Sequence, residues 1–376
     1  MALLAVGLYG LWLLTEEPAE TQAGPPAASV DVIAQRVEEL RSLRFDELPV
    51  PVTVTPEQAR REGLEDLDRH YTEARRRADE DTYELLGLIE PDDDLRELSG
   101  DLFGEGVAGY YNPSDGRLRV VDGAGTGNRV LEEMILSHEL THALEDQRFG
   151  LPTGAQETDD RSLALQGLFE GTATALMYAY VDEHFSAEET LGGLLGSAFE
   201  DTGDLPAFLQ AQVLFAYVGG ERFVSELLRR AGGRWDLVDT AFEVRPPAST
   251  EQVIHPRAYF EADEPQPVRL RAGQVLGAGW ERALGGTWGE LQTREMLRGA
   301  SQAAAGWGGD RYELWRNGDE RALIMRWRWD TPRDAGEFED RLRGVYGDRG
   351  VVVRRNGQVT LVMADRRDVA ERLAGA

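Results

Sequence analysis

The sequence predicts an α+β protein: a catalytic domain with a metal-binding helix beside a small edge-stranded sheet, then a C-terminal β-β-α-β-β-α module. Three observations carry that expectation. His138, Glu139 and His142 stand as His-Glu-Leu-Thr-His inside a run of helical apolar spacing. Gly109–Asn112 and Arg117–Val121 flank an Asp115-Gly116 turn. Late in the chain, alternating apolar runs are separated by Asn317-Gly318 and Asn356-Gly357.

The first element is Ala2 to Leu14, ALLAVGLYGLWLL, which carries no charge and gives way to the polar Pro/Ala stretch TEEPAETQAGPPAAS. It reads as a signal or membrane anchor over residues 1–29, which places the protein outside the cytoplasm, secreted or membrane-anchored. Its thirteen residues are short for a full span, and neither a basic leader nor a small-x-small cleavage site accompanies them. Residues 30–100 form the next region, with amphipathic helices beginning near Asp31 and Pro56. That region either packs on the catalytic core or acts as a pro-segment.

Residues 101–265 hold the chemistry. Leu131, Met134, Ile135, His138 and His142 repeat with helical periodicity, Asn128 is placed to cap the helix, and the run ends before Gly150. Residues four apart project side by side, so two imidazoles can converge on one tetrahedral metal ion. Glu139 falls on the adjacent flank, where its carboxylate can take a proton from water without ligating the metal. A catalytic zinc needs a third protein ligand. The next helix, Asp159 to His184 and capped by Asp159 or Asp160, presents Glu170 on one face among Gly167, Gly171, Ala173 and Thr174. Those small neighbours allow a close approach to the first helix. Glu157, Asp159, Asp160 and Asp146 compete for the third position.

Further on, PPASTEQVIHPRAY sets Ser249, Glu251, Gln252, His255 and Tyr259 between prolines, with a capping box at Ser249 and Gln252. Hydrolysis of a peptide develops negative charge on the carbonyl oxygen, and His255 or Tyr259 is a candidate donor to it. The same segment can be a purely structural turn. His70 and His184 lie among charged neighbours and receive no role. Gly123-Ala124-Gly125-Thr126-Gly127 lacks the context of a nucleotide-binding loop, and the acidic Gly-rich stretch 186–206 reads as a connector. Residues 266–376 form the C-terminal α+β domain. Leu323, Met325, Trp327 and Trp329 alternate with Ala322, Ile324, Arg326 and Arg328 as in a half-buried strand, and no catalytic set is visible there.

These residues resemble the gluzincin branch of the zincin metallopeptidases. HELTHALEDQRF, LFEGTAT, PPASTEQVIHPRAY and GWGGDRY are more narrowly similar to a group of largely uncharacterised bacterial metallopeptidases. The resemblance implies Zn2+ held by His138, His142 and Glu170, with Glu139 as general base. The chain departs from thermolysin-like members at Thr174, where those carry an acid that supports a ligating histidine. Asp146 or a backbone carbonyl would have to supply that support.

Composition agrees and excludes. The 376 residues carry a net charge of -28, from 68 acids against 40 bases, and every base is Arg. Nucleic acid and anionic membrane surfaces are thereby excluded as partners. The absence of cysteine excludes disulfides, thiolate metal sites and cysteine nucleophiles. The expectation is a zinc-dependent metallopeptidase acting on a peptide or protein substrate. The alternative is a membrane-tethered binding or assembly protein with a structural metal site.

Overall fold

The computed structural model describes residues 9–12, 27–123, 128–152, 158–194, 205–298 and 301–375. Most of the N-terminal apolar segment and its linker, residues 124–127 of the Gly-rich stretch and residues 195–204 of the acidic connector lie outside the described residues. Strand β1 (Tyr9–Trp12) is followed by α1 (Val30–Arg41), β2 (Val52–Val54), α2 (Pro56–His70), α3 (Glu73–Leu86) and α4 (Leu95–Asp101), which continues as a π-helical turn at Leu102–Gly106. The hairpin β3 (Val107–Asn112) and β4 (Arg117–Val121) precedes the two long helices α5 (Arg129–Phe149) and α6 (Asp159–His184). Then come α7 (Ala187–Leu194), α8 (Ala207–Leu214), a π-helical turn at Phe215–Gly219, α9 (Gly220–Arg230), α10 (Asp236–Glu243), α11 (Thr250–Ile254) and α12 (Pro256–Glu261).

Local chemistry sets these ends. Thr55 and Gln58 form a reciprocal capping box at the start of α2. The Asn128 side chain accepts from Leu131 N at 3.2 Å, and Gly150, at φ 74°, terminates α5 where a side chain would be strained. At α6 the cap is Thr158 instead of Asp159 or Asp160. Both acids are thereby inside the first turn and available for tertiary contacts.

The first sheet has the order β1-β3-β4-β2, antiparallel except between β2 and β4. The Asp115-Gly116 hairpin forms as expected, with Gly116 at φ 67°. The edge strand expected at the hairpin is corrected, because both of its strands are interior: Tyr9 pairs with Tyr111 and Leu11 with Gly109 on one side, Val52 with Arg119 on the other, so β1 and β2 are the edges. An unpaired row of backbone donors and acceptors is a template for another strand, and Tyr9–Trp12 takes that place. Among the described residues no helix is long and apolar enough to cross a membrane.

The C-terminal part contains α13 (Ala272–Leu276), β5 (Glu281–Gly286), α14 (Gly289–Met296), α15 (Ser301–Ala304), β6 (Trp307–Asn317), β7 (Glu320–Trp329), α16 (Pro332–Tyr346), β8 (Val351–Arg355), β9 (Gln358–Ala364) and α17 (Arg367–Ala374). From β6 onward the order is the β-β-α-β-β-α read from sequence. The antiparallel sheet runs β5-β6-β7-β9-β8. Strand β5 and helix α14 escaped detection because ERALGG has almost no apolar alternation. Asn356 and Gly357, at φ 50° and 77°, make the tight mirror-image turn that this pair favours. Strand β7 departs from the half-buried pattern. Leu323, Met325 and Trp327 pack with Phe338 and Leu342 of α16, while Ala322 and Ile324 pack with Val369 and Leu373 of α17. Helices cover both faces, and only toward Arg326 and Arg328 does one face open.

The parts are not independent in their packing. One apolar cluster joins Leu67 and Tyr83 of the N-terminal helices to Trp288, Trp327 and Phe338 of the C-terminal part. The start of α6 is the polar counterpart. Asp159 accepts from Arg75 of α3 at 2.5 Å and from the Tyr312 hydroxyl of β6. Asp160 Oδ1 accepts from Thr250 N at 2.9 Å and Thr250 Oγ1 at 2.6 Å, and Thr250 Oγ1 accepts from Leu291 N of α14 at 3.1 Å. Asp310 closes the junction by accepting from Trp288 N at 2.6 Å and Gly289 N at 2.8 Å.

This junction has a pH signature. Burial pushes Asp160 up to about 7, and burial with the neighbouring Glu290 charge pushes Glu251 up to about 8. The folded state keeps protons that the unfolded chain releases near pH ~4, so stability falls as pH rises towards those folded values. Buried His138, lowered to about 4, acts in the opposite sense only below about pH 6.5. The urea midpoint of the metal-free protein is therefore expected to fall between about pH 6.5 and 8.5. Asp160→Asn, which keeps the acceptor to Thr250, should flatten that slope; an unchanged slope would show that Asp160 does not titrate there.

Candidate metal centre

The two long helices bring three ligand atoms together. His138 Nε2 lies 3.1 Å from Glu170 Oε2, His142 Nε2 lies 3.1 Å from His138 Nε2, and His142 Nε2 lies 3.5 Å from Glu170 Oε2. Tetrahedral zinc–ligand bonds of about 2.0–2.1 Å place neighbouring ligand atoms about 3.3–3.4 Å apart, so the spacing fits one ion. Both histidines are fully buried and Glu170 is 4% exposed. Among the described residues this is the only group of three such side chains that could hold a metal ion. Glu157, one competitor, lies outside the described residues; Asp159 and Asp160 are engaged at the junction.

Electrostatics prepare the ligands for a cation. Burial pushes His138 down to about 4, so its imidazole is neutral near pH 7. Burial alone would raise the Glu170 carboxyl, but His142 and His138 outweigh it and hold the group at about 2. Neutral imidazole and ionised carboxylate are the forms a divalent ion requires.

Glu139 is fully buried on the neighbouring face of α5, where its Oε2 accepts from Tyr111 N of β3 at 2.8 Å. The Tyr111 hydroxyl donates to Asp146 Oδ2 at 2.7 Å, two helical turns further on. One residue of β3 thus spans α5 and fixes the strand beside Glu139. Gly109 makes that proximity possible, since a Cβ there would sit 3.0 Å from Ile135 Cγ2. Asp146 is consumed by this bond and by Leu151 N at 2.7 Å, so it is not the histidine support expected for it. Thr174 has a buried hydroxyl without a hydrogen-bond partner among the described residues.

The small residues of α6 serve a different neighbour from the one expected. A Cβ at Gly171 would lie 2.2 Å from Gly220 C, and one at Gly220 would lie 2.0 Å from Gly167 O. Gly167 and Gly171 therefore admit α9, backbone to backbone, and not α5. That contact anchors the π-helical turn Phe215–Gly219, whose Tyr217 ring stacks 5.9 Å from the His138 ring at 27°. Periodicity hides Tyr217, because AFLQAQVLFAYVGGERF reads as core helix. The signal that could have drawn attention is the Gly219-Gly220 pair following an aromatic run.

The candidate oxyanion donors are held by other partners. His255 Nε2 bonds Glu290 Oε1 of α14 at 3.0 Å, and that carboxylate raises its pKa. Tyr259 is 2% exposed, donates to Arg245 O at 2.8 Å and meets Phe223 edge to face. The PPASTEQVIHPRAY segment thus joins α6 to the C-terminal part. Its Ser249 accepts from Gln252 N at 3.3 Å, but the Gln252 side chain turns to Ala248 N and Asp263 O, leaving half a capping box.

Residues 277–374 match a family model described as a domain of unknown function, DUF8575. That stretch runs from just before β5 to the end of α17 and contains none of the metal-centre residues. No curated protein matches the chain. A crystal structure from Chloroflexus aurantiacus, described as that of “a putative hydrolase with a novel fold”, is similar at 20% identity and a TM-score of 0.41, covering 62% of this chain and 87% of that chain.

Gly220→Ala should push α9 off α6 and destabilise the protein by about 1–3 kcal/mol, read as a lowered urea midpoint. An unchanged midpoint would mean the two backbones are not in contact.

Proposed function

We propose that this chain is a zinc metallopeptidase of the gluzincin type that hydrolyses peptide bonds. The carrying observation is the convergence of His138, His142 and Glu170 at tetrahedral spacing, with Glu139, next to His138 in the chain, buried and bonded by a strand amide. A zinc ion bound there supplies Lewis acidity and makes water acidic enough to be a nucleophile near neutral pH. His138, His142 and Glu170, all buried, would hold the ion. Glu139 takes the proton of the attacking water and returns it to the leaving amine, with Tyr111 N orienting its carboxylate. Tyr217, stacked on His138, replaces His255 and Tyr259 as donor to the developing oxyanion.

The proposal extends to place and partner. The apolar composition of Ala2–Leu14 supports action outside the cytoplasm, with the segment as a targeting sequence or anchor whose Tyr9–Trp12 pairs on β3 when the segment is kept with the folded chain, and the acid-rich surface suits peptide or protein substrates over nucleic acid.

Metal content and casein cleavage by the purified protein test the proposal. About one zinc per chain is expected. Glu139→Gln should abolish cleavage at unchanged zinc content, and Glu170→Ala should lose the zinc. Wild-type cleavage by Glu139→Gln would remove the peptidase assignment, and zinc without any cleavage would favour a structural metal site. Tyr217→Phe should lower kcat about 10–100-fold with KM and zinc content little changed; wild-type kcat would exclude Tyr217 as the donor.

A further inference from the structure

Helix α1 delivers an arginine to the back of the metal centre. Arg41, at its last residue, is fully buried, and its Nε donates to Glu145 Oε1 of α5 at 3.0 Å. Asp239 of α10 lies 2.7 Å from the other side of the guanidinium, and the Trp235 ring lies 4.6 Å from its centre. The Trp235 indole in turn donates to Leu40 O at 2.7 Å, so α1 is clamped where Arg41 enters.

Glu145 is also fully buried, and only one of its oxygens is used. Among the described residues Oε2 has no hydrogen-bond partner. A buried carboxylate oxygen left unpaired is costly, and such an atom in a native core points to a partner that arrives with a ligand. Glu145 follows His142 by three residues, which makes the two side chains neighbours on the surface of α5. The electrostatic influence of His142 on Glu145 agrees with that proximity. Metal-bound histidines characteristically donate their second ring N–H to a carboxylate, which orients the ring and strengthens it as a ligand. The position that would hold an acid on α6 is Thr174, so α6 offers no such carboxylate there.

We propose that Glu145 is the positioning residue for His142, receiving the His142 ring N–H when a metal is bound, and that Arg41 holds Glu145 for this task. Residues 30–41 are then a working part of the metal centre and not a removable pro-segment. The proposal rests on the metal-site assignment made above and deepens it.

The test compares Zn2+ affinity, measured by chelator competition on the full chain, for wild type, Glu145→Gln and the double variant Arg41→Met with Glu145→Met. Replacing a buried ion pair by apolar side chains of similar volume commonly leaves stability unchanged or raised, so a merely structural pair predicts wild-type zinc affinity in the double variant. A positioning role predicts affinity weakened about 10–100-fold with the thermal midpoint maintained, and a shifted visible spectrum of the Co2+ form. Glu145→Gln should weaken binding in the same direction and decides the matter if the double variant does not fold. Wild-type affinity and an unchanged Co2+ spectrum in the variant that folds overturn the proposal. A wild-type chain that binds no Zn2+ overturns the metal-site assignment itself, so the two failures are distinguishable.

Discussion

A carboxylate buried between two imidazoles is the constraint from which much of the architecture follows. Taking Glu170 out of water is unfavourable unless it meets positive charge or donors in good geometry, and His138 and His142 are the groups α5 sets against it. That meeting fails if either helix tilts by an ångström or two. Helix α6 is therefore buried almost continuously from Asp159 to Met177, with α5, α9 and α11 packed around it. Its small residues, Gly167 and Gly171, are the positions where that packing becomes backbone contact.

Neighbouring polar residues on α5 divide the remaining tasks by direction. Glu139 and Asp146, seven residues apart, face β3 and share Tyr111 between them. Glu133, one turn before the metal ligands, is a buried node for Arg36, Arg129 and Tyr180. Glu145 faces Arg41 of α1. Glu133, Glu139 and Glu145 are buried and Asp146 is half-buried, and their partners come from α1, α6 and β3, so α5 is fixed in rotation as well as position. A helix that carries His138 and His142 against Glu170 depends on that, because a roll of α5 would carry both imidazoles away from the carboxylate.

The C-terminal part enters the same economy through the first turn of α6. Asp159 and Asp160 reach Tyr312, Thr250 and Arg75, and the Thr250 hydroxyl passes the link to α14. The matched family model, residues 277–374, includes Leu291, Asp310 and Tyr312 of this junction but not Asp159, Asp160 or Thr250. His255 and Glu290 belong to that attachment. A histidine between prolines in a motif-rich segment looks chemical in sequence and is placed at a joint between parts.

The sequence by itself determined the two helices of the candidate metal centre, the Asn128 cap and Gly150 stop of α5, the β3–β4 hairpin and the β-β-α-β-β-α order of elements from β6 onward. Helical period, Asn128, Gly150 and the Asp-Gly and Asn-Gly pairs are local signals, carried by residues a few positions apart. It also offered His138, Glu139 and His142, because four-residue spacing on one helix is likewise local, and it put Glu170 first among competing acids that only the packing of α6 on α5 resolved. What it could not determine is which side chain from afar meets which. Only tertiary packing assigned Tyr111 to Glu139, Arg41 to Glu145, Tyr217 to His138 and Gly220 to Gly171, and only packing paired His255 with Glu290 and Tyr259 with the Arg245 carbonyl. Those pairings join residues tens to more than a hundred positions apart, and whether they form depends on how whole helices stack, a cooperative outcome that no short stretch of sequence contains.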